Sequence, residues 1–241
     1  MEPVRAVIGP LVASGLLLWR SDLRLVFALA AIPALASVIV LVLGVREEPR
    51  ARVVAVPGAG SAPLSPSMRR YLLVLAVFTL GNSSDAFLLL RAQDAGVSLA
   101  TIPLLWAALH VVKSSASTAG GSLSDRLGRR ATITAGWVLF AIAYAGLAAA
   151  SAAWHVWALF AVYGLFTALT EGAERALVAD LAPADGRGHA FGAFHAVTGV
   201  MTLPASLLTG VLWQAYGPGA ALLTGAALAM VAAVLLRAWV R

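Results

Sequence analysis

The chain has 241 residues, of which 61% are hydrophobic and only 12% are charged, with a formal net charge of +6. A soluble domain carries about 25% charged residues, so this composition is typical of an integral membrane protein. Because the chain has no cysteine and its four histidines include no His-x-x-x-His pair, disulfides and thiolate metal sites are excluded and no metal cofactor is expected.

Eight apolar segments have the length, or nearly the length, of a membrane-spanning helix, which is roughly 20 residues. They lie at 4–19, 24–44, 71–90, 99–119, 131–150, 154–176, 190–213 and 219–239. Backbone polar groups must be satisfied within each helix in lipid, so the sequence predicts an all-α polytopic membrane bundle of eight transmembrane helices. The first segment resembles a signal peptide, but no small-x-small cleavage site follows it.

One linker interrupts these segments, at residues 46–70. Between Glu47 and Met68 it is rich in Pro, Gly and Ser, a composition that predicts a flexible spacer. It leaves two predicted helices before it and six after it.

The distribution of arginine predicts the orientation in the membrane. Twelve arginines fall on one side of the eight predicted spans: Arg46, Arg50, Arg52, Arg69, Arg70, Arg126, Arg129, Arg130, Arg175, Arg187, Arg237 and Arg241. The other side has Arg20, Arg24 and Arg91. The richer side is expected to be cytoplasmic, with both termini inside and the protein in the cell (inner) membrane. The positive charge therefore indicates membrane orientation and contact with lipid rather than nucleic-acid binding.

Residues 121–130 read Gly-Ser-Leu-Ser-Asp-Arg-Leu-Gly-Arg-Arg and predict a tight, positively charged turn between two spans. This segment resembles the signature of the major facilitator superfamily, which reads roughly Gly-x-Leu-x-Asp-Arg-x-Gly-Arg-Arg. The matching residues are Gly121, Leu123, Asp125, Arg126, Gly128, Arg129 and Arg130. Residues 180–188 resemble the family's Pro-x-x-x-Arg-Gly connection, and Gly9-Pro10 resembles an element common in its proton-driven exporters.

The resemblance implies a transporter that moves a small solute by alternating access and is coupled to protons. Within that class, Gly9-Pro10 favours export over import. The family has twelve helices in two halves. On that pattern, residues 1–45 are the last two helices of the N-terminal half, 46–70 the cytoplasmic linker, and 71–241 the six-helix C-terminal half. The chain would then be a fragment of a twelve-helix protein or would need a second chain. A non-transporting membrane scaffold or partner subunit is the alternative.

The signature segment has two interpretations. Asp125 could face the positive N-terminal end of a neighbouring helix and act as a gating latch between conformations. The arginines could hold the turn close to anionic lipid. The simpler interpretation is that the segment only anchors the topology.

Asn82 and Asp85 are the first polar pair inside a predicted span. They lie three residues apart and so share a helix face. Charged groups inside spans are costly and usually face a cavity or a partner, so Asp85 could take up a proton or contact a polar substrate. The alternative is a salt bridge from Asp85 to Arg91.

A second group of charges lies on the fourth and sixth predicted spans. His110 and Lys113, the only lysine, are three residues apart, and Glu171 and Arg175 have i, i+4 spacing around Glu174. We predict that Lys113 pairs with Glu171 or Glu174. The pair could take part in proton-linked transport or could be a static strut between helices.

No pattern in the sequence indicates an enzyme. The chain has no Gly-x-x-x-x-Gly-Lys-Ser/Thr loop, which disfavours ATP as the energy source, and no Ser/His/Asp grouping that would suggest a hydrolase.

Overall fold

The computed structural model describes residues 2–20, 22–44, 63–183 and 186–240. Most residues in these ranges are helical, and none of them belongs to a strand. The α-helices are α1 (Glu2–Arg20), α2 (Leu23–Gly44), α3 (Pro66–Gly81), α4 (Asp85–Asp94), α5 (Ile102–Leu127), α6 (Arg129–Ala149), α7 (Ala153–Leu181), α8 (Arg187–Tyr216) and α9 (Pro218–Trp239).

The prediction of an all-α membrane bundle is confirmed. Seven stretches in the described ranges are long and apolar enough to cross a membrane: Leu23–Gly44, Pro66–Asp94, Leu99–Leu127, Arg129–Ala149, Ala153–Leu181, Arg187–Tyr216 and Pro218–Trp239. The remaining predicted span, 4–19, corresponds to α1, whose apolar part Ile8–Trp19 is shorter. Most of the predicted linker lies outside the described residues, and the part from Pro66 onward belongs to α3.

Helices α6 and α7 form the centre of the bundle that follows the linker. Helix α6 packs against α7 and α9, α5 packs against α7, and α3 packs against α8 and α9. An aromatic cluster fills the centre: Phe78 of α3 stacks on Trp137 of α6 with ring centroids 4.5 Å apart, and Phe140 contacts Phe166 of α7 at 5.1 Å. Such ring pairs add to the stabilisation that burial alone provides.

Glycines bring several helix backbones into contact. A Cβ atom built on Gly81 of α3 would lie 2.8 Å from the carbonyl oxygen of Gly225 in α9, and one built on Gly120 of α5 would lie 2.6 Å from that of Ala168 in α7. Both distances are shorter than any ordinary Cβ contact, so a larger residue would push the helices apart. Small residues at membrane helix crossings allow this close packing.

Helices α1 and α2 lie at the edge of that arrangement. Helix α1 packs against α5, and Ser14 donates a hydrogen bond to the carbonyl oxygen of Ala100. Helix α2 contacts α1 and has no buried residue. Its apolar surface is therefore uncovered by the other described helices.

The third predicted span is two helices rather than one. Helix α3 ends at Gly81, α4 begins at Asp85, and Asn82, Ser83 and Ser84 separate them. Short polar side chains such as these compete with the helical hydrogen bonds of the backbone, and Ser84 then caps α4 by accepting a hydrogen bond from the Ala86 amide at 3.4 Å. The break places Asp85 in the first turn of a new helix within the span.

Candidate functional site

Asp85 is held by a tyrosine from another helix. The hydroxyl of Tyr163 in α7 donates a hydrogen bond to Asp85 Oδ1 at 2.8 Å, and Tyr163 is only 5% exposed. Next to them, the hydroxyls of Ser83 and Tyr144 lie 3.5 Å apart. The broken span thus presents the carboxylate of Asp85 and the hydroxyl of Ser83 to two tyrosine hydroxyls on neighbouring helices.

The alternative salt bridge between Asp85 and Arg91 is wrong. Arg91 donates instead to the carbonyl oxygens of Leu147 at 2.9 Å and Ala150 at 2.6 Å, where α6 ends. Six residues separate Asp85 from Arg91, which places them about 120° apart around a helix. Arg91 therefore joins α4 to the end of α6, and Asp85 is hydrogen-bonded to Tyr163 instead.

Asn82 lies at the end of α3, and its backbone amide closes that helix by donating to the carbonyl oxygens of Phe78 and Thr79 at 3.0 and 3.1 Å. It therefore precedes Asp85 across the break rather than sharing one continuous helix with it. Asn82 and Asp85 therefore do not share one helix face as the sequence predicted, because the helix breaks between them.

His110 and Lys113 lie one turn apart on α5, on the side that meets α7. Lys113 Nζ is 2.6 Å from Glu171 Oε2, and Glu171 Oε1 also accepts from Arg175 at 3.1 Å. Of the two partners predicted for Lys113, the structure has Glu171. The His110 ring makes an edge contact with Trp106, with centroids 5.4 Å apart.

Close backbone contacts flank this ion pair. Besides the contact of Gly120 with Ala168, a Cβ atom on Gly164 of α7 would lie 3.0 Å from the carbonyl oxygen of Leu109 in α5. Lys113 lies between these two contacts along α5. The glycines therefore set the spacing of α5 and α7 at which the Lys113 and Glu171 side chains meet.

Glu174 has a different partner. Its Oε1 accepts a hydrogen bond at 3.1 Å from the indole Nε1–H of Trp137, which is completely buried in α6. Glu174 is half-buried, and its hydrogen-bond donor is uncharged. Among the described residues, the hydroxyl of Tyr71 in α3 is a buried polar group without a hydrogen-bond partner.

The signature segment is mostly helix rather than a turn. Helix α5 continues to Leu127, so Gly121, Asp125 and Arg126 lie in its last turns, and α6 begins at once with Arg129. Gly128 alone separates the two helices, with φ of +89°, a conformation that glycine adopts without the strain other residues incur. The predicted turn of ten residues is therefore wrong in extent, because a glycine with positive φ ends one helix and starts the next.

Arg129 contacts two carboxylates at this end of the bundle. Its guanidinium contacts the carboxylate of Asp125 four residues earlier, Ser124 Oγ at 3.1 Å, and, from Nε, Asp180 Oδ2 at 3.6 Å. The ion pair of Asp125 is thus with a side chain at the start of α6. Asp180 lies in the last turn of α7, so the cluster joins three helices. The sequence had indicated Asp180 only as the first residue of the connection at 180–188 and not as a partner of Arg129.

Arg130 and Arg126 do not belong to the Arg129 cluster. Arg130 donates to the carbonyl oxygen of Val240, next to the end of α9, and Arg126 is exposed. A cavity of about 750 Å³ opens beside Arg130. Its lining includes Asp125, Arg129, Arg130, Asp180, Arg237 and Val240.

The described residues contain no group of three or more His, Asp or Glu side chains that could hold a metal ion. The polar groups of the candidate site are carboxylates, hydroxyls and one ammonium group, which lie along helices long and apolar enough to cross a membrane.

Comparison with known proteins places these features in one family. Residues 72–241 match the family described as Major Facilitator Superfamily. An uncharacterized MFS-type transporter of Methanocaldococcus jannaschii is 32% identical over 183 residues, which cover 73% of this chain and 46% of that relative. The chain thus matches less than half the length of this curated relative. No solved structure matches the chain. Because the family match covers most of the chain and contains both the signature segment and the polar clusters, the chain belongs to the major facilitator superfamily.

Proposed function

We propose that the chain forms part of a secondary transporter that moves a small solute by alternating access. The observation that carries this proposal is the pair of polar contacts between membrane-spanning helices, Asp85 with Tyr163 and Lys113 with Glu171. Charged residues inside spans are costly and are typical of substrate and ion pathways. Lys113 is the twelfth of the 26 residues of α5, close to the depth at which transporters of this kind bind their substrates.

Protons are the coupling ion in this proposal, and Asp85 is the residue that carries them. Glu171 is neutralised by Lys113 and Arg175, whereas Asp85 is held by a neutral hydroxyl. A hydroxyl can both donate and accept a hydrogen bond, so it can remain the partner of Asp85 whether the carboxyl group is ionised or protonated. Glu174, bonded to a neutral indole, is a second carboxyl group of this type.

The arginine-rich end of the bundle, which includes Arg126, Arg129, Arg130 and Arg237, is proposed to face the cytoplasm of a cell (inner) membrane, with both termini on that side. The excess of arginine in the short connections at this end supports the orientation. In that position the cluster of Asp125, Arg129 and Asp180 would join the cytoplasmic ends of α5, α6 and α7 and serve as the gating latch.

We also propose that the chain is a piece of a twelve-helix protein, with α1 and α2 as the last helices of the preceding half. The short match to the relative and the uncovered surface of α2 support this proposal. The upstream DNA provides the test. An in-frame extension with four further spans and a second Asp-Arg-Gly-Arg turn would support a fragment. A ribosome-binding site directly before Met1 would instead favour a partner subunit.

A proton-flux assay tests the transport function. Everted membrane vesicles containing the chain together with the proposed preceding helices, as the full-length protein, would be acidified inside, and a panel of small organic cations, sugars and carboxylates would be added while internal pH is followed. At least one solute should release protons through the wild-type protein and fail to do so with Asp85→Asn. Asp94→Asn, at the far end of α4, is the matched control. A protein for which no solute moves protons would favour the scaffold alternative.

The ion pair is tested in the same vesicles with the full-length protein. Lys113→Met and Glu171→Gln each remove one charge from the proposed solute pathway and should weaken solute-driven proton release. Unchanged proton coupling in both variants would assign the pair to structure alone.

A further inference from the structure

The cavity at the arginine-rich end has a charged wall and an apolar wall. It lies where α5 meets α6, beside the ends of α7 and α9, and measures about 750 Å³. Leu177 and Leu181 of α7 and Leu127 of α5 contribute the apolar lining, and Leu127 is 62% exposed. The cavity therefore opens at the level where membrane-spanning helices end, which is the level of lipid headgroups.

Two of its arginines are free of carboxylate partners. Both acidic residues of the lining, Asp125 and Asp180, pair with Arg129. Across the part of the chain that the structure describes, no ion pair involves Arg130 or Arg237. The three arginines and two aspartates of the lining leave a net charge of +1, and the guanidinium groups of Arg130 and Arg237 make no ion pair with those aspartates.

The end of α9 holds Arg130 in place and itself carries Arg237. Arg130 uses one of its five N–H donors on the buried carbonyl of Val240, and Arg70 donates to the carbonyl of Trp239 at 3.4 Å. Arg237 lies three residues before Val240, about one turn back along the same chain end. The remaining donors of Arg130 and those of Arg237 therefore border one cavity.

We propose that this cavity binds the headgroup phosphate of an anionic phospholipid from the leaflet at the arginine-rich end. Arg130 and Arg237 donate to the phosphate, since guanidinium groups bind phosphate oxygens in a fork geometry. The acyl chains leave past Leu127, Leu177 and Leu181. The apolar wall is the reason for choosing a lipid over a soluble anion. The site requires only that the chain lies in a membrane, so it stands apart from the proposed transport activity.

Native mass spectrometry of the full 241-residue chain in detergent tests the site. Phosphatidylglycerol and phosphatidylcholine with the same acyl chains would be titrated separately. The wild-type protein should prefer phosphatidylglycerol. The double variant R130Q/R237Q should bind it about 25-fold more weakly, from about 5-fold for each arginine lost near an anionic headgroup.

Matched variants separate this site from general surface charge. R69Q/R187Q removes two exposed arginines from the same end that do not line the cavity. It should keep most of the wild-type affinity, because neither arginine lines the cavity and exposed charges outside it are screened by salt. R130K/R237K keeps the charge and should retain most of the binding. R237Q alone leaves the bond between Arg130 and Val240 intact and should lose about 5-fold, which covers the case in which the double variant does not fold.

Three results would overturn the proposal. The first is equal binding of both lipids by the wild-type protein. The second is an unchanged affinity for phosphatidylglycerol in R130Q/R237Q or in R237Q alone. The third is a loss of affinity in the control R69Q/R187Q as large as that in the cavity variant. Inorganic phosphate that competes with phosphatidylglycerol at equal concentration would also reject the lipid, since it would show that the apolar wall adds nothing.

Discussion

Replacing Gly120 by alanine is expected to separate α5 from α7. The added Cβ atom would lie 2.6 Å from the carbonyl oxygen of Ala168, 3.2 Å from its carbonyl carbon and 3.4 Å from the Cα atom of Leu169. All three are backbone atoms, so no side chain can turn away. Ordinary contact begins at 3.4 Å, and the helices must therefore move apart by about 0.8 Å at this point.

The neighbouring residue provides the control for this substitution. Gly121 has no atom within 4 Å of its added Cβ, so Gly121→Ala should stabilise α5 by about 1 kcal/mol through helix propensity alone. Gly120→Ala gains the same propensity but adds an overpacking cost of about 1–3 kcal/mol. Comparing the two alanine variants cancels the propensity, so Gly120→Ala should be about 1–3 kcal/mol less stable than Gly121→Ala.

Unfolding in mixed micelles measures this difference. Both variants would be titrated with sodium dodecyl sulfate, and the loss of helix would be followed by circular dichroism. Equal midpoints for Gly120→Ala and Gly121→Ala would refute the close contact of α5 with α7. A lower midpoint for Gly121→Ala would show that the faces of α5 are assigned the wrong way round.

Three further experiments test single contacts. Trp137→Phe removes the donor to Glu174 and should cost about 1–2 kcal/mol in the same unfolding assay. Tyr163→Phe removes the hydroxyl from Asp85, should cost about 1 kcal/mol, and should weaken solute-driven proton release in vesicles. A double-mutant cycle of Lys113→Met with Glu171→Gln should give a coupling energy of about 0.5–1 kcal/mol, because both side chains are partly exposed.

Controls for these substitutions lie on the surface of the bundle. Trp154→Phe and Tyr216→Phe change side chains that are 68% and 75% exposed, and each should shift stability by less than about 0.5 kcal/mol. If Trp137→Phe is no more destabilising than Trp154→Phe, the hydrogen bond to Glu174 does not form. A coupling energy near zero in the cycle would mean that the ion pair of Lys113 contributes nothing to stability.

The spans were predictable because hydropathy depends only on the local sequence. Every predicted apolar segment from 24–44 onward matches a stretch long and apolar enough to cross a membrane, and only 131–150 extends beyond its stretch, by one residue. The break at residues 82–84 was missed because a window of about 20 residues averages over three polar ones. The sequence places Asn82, Ser83 and Ser84 in succession, and the tendency of such short polar residues to end a helix was the signal that could have revealed the break.

The partners of the site residues were harder to predict. Lys113 and Glu171 could be matched because each is a rare charge at a similar depth in its span. Tyr163 lies 78 residues from Asp85 and Trp137 lies 37 residues from Glu174, and both are aromatic residues among many in an apolar chain. Their role depends on how the helices pack, which hydropathy does not specify. Asp180 was not predicted as a partner of Arg129 for the same reason.

The glycine contacts bear on how the pair of Lys113 and Glu171 can act. Close backbone contacts lie on both sides of the pair, at Gly120 and at Gly164, so α5 and α7 cannot separate there without losing both contacts. In the proposed transport cycle, these two helices would then move as one body. Lys113 and Glu171 would contribute by presenting their charges to a solute rather than by opening as a gate. The parts left to change shape are the break between α3 and α4 and the cluster around Arg129, whose ion pairs lie at exposed helix ends.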